Sequence, residues 1–153
     1  MELILWRHAD AEDGDGKDDG ARELTKKGRR QAERMAAWLR PRLEGDWRIL
    51  VSPAKRALQT VKPLELPFGE SDAIGTGTTA AALLREAGWP DGKADVMVVG
   101  HQPTLGEVAA KILGVEEGDL AIRKGAVWWF VARGSGDNRE TVLKAVIAPD
   151  LLD

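Results

Sequence analysis

The chain has no cysteine, no tyrosine, only two histidines, and no apolar run of membrane-spanning length. Each absence removes a class of function. Without cysteine there is no disulfide, no thiolate-rich zinc site and no cysteine nucleophile. The opening run MELILW carries no basic residue ahead of it and ends at Arg7, too soon for a signal-peptide core. Nothing further along approaches the ~18 consecutive apolar residues of a membrane helix. A net charge of −3 argues against a nucleic-acid partner. No nucleic acid, no membrane and a cytoplasmic setting are therefore the expectation.

What is present describes a globular protein. At 153 residues, 43% apolar and 31% charged, the expectation is one domain over residues 1–153. A domain of that size buries roughly 68–70% of its unfolded surface and needs no covalent staples. Residues 2–6 are apolar without polar alternation, the pattern of a strand buried on both faces. Residues 10–20, DAEDGDGKDDG, form a hydrophilic loop whose Asp/Gly content suggests calcium. The EF-hand template fails there, because counting from Asp13 puts Lys17 fifth and Leu24 twelfth, where ligands are required. A solvated loop is the better reading.

From Thr25, a plausible N-cap, the apolar positions Ala32, Met35, Ala36, Leu39 and Leu43 predict an amphipathic helix that bends or ends near Pro41. RILVS at 48–52 predicts a second buried strand. Ser52-Pro53 then predicts a helix to about Val61, with serine as cap and proline as first helical residue. Residues 64–77 predict an irregular connection with at most a short strand. Helices are predicted at 79–88, stopped by Gly88, and from Pro103 to Gly114, with a clear buried strand at 94–100 between them. AVWWFVA (126–132) and ETVLKAVIA (140–148) flank GSGDN and predict an antiparallel hairpin. Trp128 and Trp129 then point to opposite faces, so packing is their expected role. The alternation predicts an α/β domain of three layers, a mostly parallel central sheet with helices on both faces and an antiparallel edge.

Ligands of open α/β sheets sit beyond the carboxyl ends of the strands. Arg7-His8 ends the first predicted strand. Ser52 ends the second, with Arg56 one turn further on, and Gly100-His101 ends the third. Alone, each has an ordinary explanation: a surface turn, a helix cap, a loop histidine bonded to a carbonyl. Together they put both histidines of the chain and two arginines on one sheet edge. Guanidinium forks match phosphate oxygens bidentately and stay charged. Imidazole serves as nucleophile, acid or base near neutrality. A helix starting at Pro53 would add free N–H groups and a positive dipole end. The ligand these groups fit best is a phosphoryl group.

The motifs Arg7-His8, Arg22-x-Leu24-Thr25-x-x-Gly28, LVSPAKRALQT (50–60) and VVGHQP (98–103) resemble the histidine phosphatase superfamily in order and spacing. The resemblance is to the short branch typified by the SixA protein-histidine phosphatases, within the phosphoglycerate mutase-like fold. It implies that His8 is a nucleophile that becomes phosphorylated, and that Arg7 and Arg56 hold the phosphoryl oxygens while His101 donates to them. Arg22 and Ser52 are implied as substrate-binding residues. It further implies no cofactor and no metal, the arginines taking the place of cations.

A carboxylate proton donor beside the second histidine is missing, since Gln102 follows His101. Asp10, Glu70 and Asp72 are the candidate substitutes, each with the alternative reading of a solvated loop acid. Phosphohistidine eases that need, because its imidazole nitrogen leaves without a dedicated acid. The shortness of the chain also favours an open cleft for a phosphorylated protein. The expected partner is thus a phosphohistidine-bearing signalling or phosphotransfer domain. Three alternatives stand beside this: a small-molecule phosphomonoesterase of the same superfamily, a non-catalytic phosphate-binding module, and a metal-dependent hydrolase built from His8, His101 and loop carboxylates. Lys124 is expected to be an exposed lysine, with a reach toward substrate as its other reading.

Overall fold

The computed structural model describes residues 1–16, 18–116 and 120–152; Lys17 of the calcium-template comparison lies outside them. Six strands form one mixed sheet: β1 Glu2–Arg7, β2 Trp47–Val51, β3 Gly69–Glu70, β4 Asp95–Gly100, β5 Val127–Arg133 and β6 Glu140–Ile147. Their spatial order is β3-β2-β4-β1-β5-β6. The pairs β3–β2, β2–β4 and β4–β1 are parallel, while β1–β5 and β5–β6 are antiparallel. The helices are α1 Lys26–Leu39, α2 Lys55–Val61, α3 Ala80–Ala87 and α4 Thr104–Leu113.

Alternation along each strand sorts the core into two faces. Leu3, Leu5, Val96, Val98 and Phe130 pack with Leu83 of α3 and Leu105 and Val108 of α4. Ile4, Trp6, Met97, Val99 and Trp129 pack on the other face with Met35 and Leu39 of α1 and Val61 of α2. The layers are therefore helix, sheet, helix, as the alternating sequence predicts. Trp129 is buried and meets Trp38 and Trp47 edge-on, at 6.4 and 5.7 Å between ring centroids. Trp128, half-buried, lies against the opposite face.

Local chemistry accounts for most element ends. Thr25 caps α1, its Oγ1 accepting from the Gly28 N–H at 3.0 Å. Gly88 and Gly114 end α3 and α4 in the left-handed region that only glycine enters freely. One expectation is corrected. α2 begins at Lys55, with Ala54 in the cap position, so Ser52 is not a helix cap and Pro53 is not its first residue. The helix is shorter than expected and contributes no N-terminal anion site. Ser52 is used elsewhere.

Candidate active site

Strand order brings the chemistry together. β4 lies between β2 and β1, and all three run the same way, so Ser52, His101 and His8 leave the sheet side by side. Arg7 is in register with Gly100, the His8 N–H donates to the Gly100 carbonyl at 3.0 Å, and the Ser52 N–H donates to the Val99 carbonyl at 3.0 Å. The two imidazole rings are consequently 5.2 Å apart between centroids and tilted by 53°. A cavity of about 230 Å³ opens onto them, lined also by Arg7, Arg56, Arg22, Asp19, Thr76 and Lys124.

His8 is 6% exposed. Its Nδ1 lies 2.8 Å from the Ala9 carbonyl, which can only accept. Nδ1 therefore carries the proton in the neutral ring, and Nε2 is left with its lone pair. Burial pushes the His8 pKa down to about 4, with the charges of Arg56, Arg7 and Arg22 adding to the effect. His101, 5% exposed, is lowered to about 3 by burial first and then by His8 and Arg56. Both rings are neutral at pH 7.

Ser52 is fully buried and does not line the cavity. Its Oγ sits 2.7 Å from His101 Nε2 and accepts from the Ala54 N–H at 3.2 Å. Among the described residues His101 Nε2 is the acceptor within reach of this buried hydroxyl's hydrogen, which assigns the ring's own proton to Nδ1. The expectation that Ser52 binds substrate is thus revised. It touches the histidine that reaches the cavity, and sets its tautomer.

Arg7 donates from Nη1 to the Ile122 carbonyl at 2.9 Å. Arg56, 3% exposed, donates from Nη1 to the Asp19 carbonyl at 2.8 Å and from Nη2 to Asp19 Oδ2 at 3.1 Å. Arg7 Nε, Arg56 Nε and His101 Nδ1 are buried without a protein hydrogen-bond partner. Buried donors are nearly always paired. Three unpaired ones on three cavity-lining residues are donors that an oxyanion in the cavity could satisfy.

The other candidates divide. Arg22 lines the cavity and donates from Nε to Asp19 Oδ1 at 3.0 Å and from Nη1 to the Glu12 carbonyl at 3.1 Å. Lys124 is both exposed and part of the cavity wall, bonded to Asp10 Oδ1 at 3.1 Å. Asp10, Glu70 and Asp72 do not line it. The Asp10 carboxyl is held low, chiefly by the Thr25 hydroxyl that donates to it at 2.7 Å.

Sequence reasoning missed Asp19 and Thr76, which stand in segments read as plain loop. It also left Gln59 and Thr60 without roles. Thr60 Oγ1 accepts from the Ala9 N–H at 3.0 Å and donates to the Arg56 carbonyl at 2.7 Å, pinning the residue after His8 onto α2. Gln59 Oε1 accepts from the Leu24 N–H at 2.8 Å. Their signal was their place in the motif ending Gln59-Thr60.

Fold and site together define the class: the chain belongs to the histidine phosphatase superfamily, whose branch 1 model matches residues 3–91. It is 33% identical over 121 residues to the phosphohistidine phosphatase SixA of Escherichia coli, across 73% of this chain and 74% of that one. An uncharacterized protein of Picosynechococcus is 37% identical over 125 residues, covering 73% of each chain. The solved structure of the protein histidine phosphatase SixA complexed with tungstate superposes with a TM-score of 0.81 at 26% identity, covering 100% of both chains. Similarity of sequence and of fold together support phosphatase activity. Among the described residues, no helix is long and apolar enough to cross a membrane.

Proposed function

We propose that this protein, as a single cytoplasmic domain, removes phosphate from phosphohistidine on a partner protein through a phosphorylated His8. The observation that carries the reading is the convergence of His8 Nε2, His101 and two arginines on one cavity, with three buried donors left for an oxyanion. The similar protein histidine phosphatase SixA forms a complex with tungstate, a tetrahedral oxyanion, which supports an oxyanion as the ligand of this fold.

Two displacements at phosphorus make up the reaction. His8 Nε2 attacks in line, so that an N–P bond forms while the bond from phosphorus to the substrate imidazole breaks. The electron pair departs on that nitrogen, and the substrate ring, protonated at its other nitrogen, leaves as neutral imidazole. Water then attacks, an O–P bond forms, the His8 N–P bond breaks, and phosphate leaves with the water's oxygen. Arg7 and Arg56 neutralise the equatorial oxygens throughout, and His101 donates from Nδ1 as charge builds. Positioning and electrostatic stabilisation account for most of such a transfer.

The choice of phosphohistidine rests on what can give a proton. Asp19 is the only carboxylate lining the cavity among the described residues, and the Arg56 hydrogen bond holds it below the usual range. An alkoxide leaving group would lack a carboxylic acid, whereas an imidazole does not need one. Turnover of a phosphohistidine protein beside a panel of phosphomonoesters tests the substrate, and acid-labile labelling of the enzyme tests the nucleophile. Phosphohistidine should be hydrolysed fastest, with a labelled enzyme that disappears in His8→Ala. Faster turnover of a sugar phosphate would overturn the substrate assignment, and labelling that survives in His8→Ala would overturn the nucleophile.

A further inference from the structure

Asp19 belongs to the acidic loop between β1 and α1, and its side chain is 59% exposed. It is nonetheless bound to the deepest cation of the site. Its carboxylate takes Arg56 Nη2 at 3.1 Å and Arg22 Nε at 3.0 Å, while its backbone carbonyl takes Arg56 Nη1 at 2.8 Å. One residue thus occupies both terminal nitrogens of Arg56 and one edge of Arg22. Among the largest influences on His101, the charge of Asp19 favours the protonated ring.

We propose that the Asp19 carboxylate is a built-in counter-anion that competes with phosphate for Arg56 and Arg22, and so keeps the phosphate product loosely held. This rests on the phosphatase reading. A carboxylate and a phosphoryl group satisfy the same guanidinium edges. Three arginines around one cavity without a counter-charge would retain a phosphate dianion, and release of product limits many enzymes. The split between the two Asp19 contacts makes the idea testable. Its backbone carbonyl still tethers Arg56 Nη1 when the side chain is changed, so the charge can be removed without freeing the guanidinium. A residue serving only to hold Arg56 in place would act in the opposite direction.

Calorimetric titration of the full chain with inorganic phosphate distinguishes the two, because it needs no turnover. Asp19→Asn keeps the size and an acceptor oxygen and removes the charge. It should bind phosphate roughly two- to fivefold more tightly than the wild type, a range set by the modest strength of ion pairs with one solvent-exposed partner. Asp19→Ala should also bind more tightly. In a chain that already carries Arg56→Ala, adding Asp19→Asn should produce a much smaller gain in affinity. Unchanged or weaker phosphate binding by Asp19→Asn would overturn the proposal. Phosphate binding without any acid-labile phosphoenzyme would instead overturn the phosphatase reading, leaving the counter-anion role to be decided by the titration alone.

Discussion

Residue by residue, the site is arranged through the proton each imidazole carries. The Ala9 carbonyl fixes one ring and the Ser52 hydroxyl fixes the other, leaving a lone pair on His8 Nε2 and a proton on His101 Nδ1. A free lone pair and an N–H are thereby presented by the same residue type 5.2 Å apart. Ser52→Ala removes the hydroxyl and leaves Nε2 of a buried ring unpaired, so the proton can settle on either nitrogen. The expected outcome is a roughly hundredfold fall in kcat, the low end of the scale of losing one oriented transition-state donor. KM should change far less, while the unpaired buried nitrogen lowers stability by about 1–3 kcal/mol. Steady-state kinetics on the variant checks this; a loss confined to KM would show that Ser52 acts on binding instead.

Among the elements, the join between the loop after His8 and α1 is tight. The Asp10 carbonyl accepts from the Thr25 N–H at 3.0 Å, and a Cβ on Gly28 would lie 1.9 Å from that carbonyl oxygen. This gives the Leu24-Thr25-x-x-Gly28 motif a physical content: Thr25 caps the helix while Gly28 lets the backbone two residues past His8 come close. In an isolated helix Gly28→Ala would gain about 1 kcal/mol. Here the clash is with main chain, which cannot rotate away, and overpacking of that kind costs about 1–3 kcal/mol. The clash wins. The variant should lose stability in urea with an unchanged m-value, and lose activity as well because Asp10 is displaced. A stabilised variant would contradict the close approach.

For the whole molecule, the buried histidines tie stability to pH. Unfolded, each would take up a proton near 6.5; folded, His8 waits until about 4 and His101 until about 3. The unfolded state therefore binds more protons throughout that window, and stability present in full above pH 6.5 drains as pH falls through it. Each histidine accounts for up to about 1.4 kcal/mol per pH unit. The carboxyls of Asp10 and Asp19, held low in the fold, add a loss in the same direction as pH falls through their usual value of 3.8. Urea midpoints measured from pH 7.5 to 4.5 should fall below pH 6.5, and the double variant His8→Gln, His101→Gln should flatten that fall. An equal slope in the double variant would assign the acid sensitivity elsewhere.

By itself, the sequence determined the elements and the reactive residue types. Unbroken apolar runs at 2–6 and 94–100 mark strands covered on both faces, and Thr25, Gly88 and Gly114 mark helix ends, because these signals act within a few residues. The same local information placed both histidines and Arg7 at strand ends. It failed at Ser52-Pro53, where a hydrogen bond to His101, 49 residues away, outweighed the capping preference of serine. Only the tertiary structure decided that β4 inserts between β2 and β1, which is what sets two imidazoles side by side. It alone likewise showed Asp19, an acid of an unpatterned loop, folded back onto Arg56, since contacts between distant segments leave no period or spacing to read.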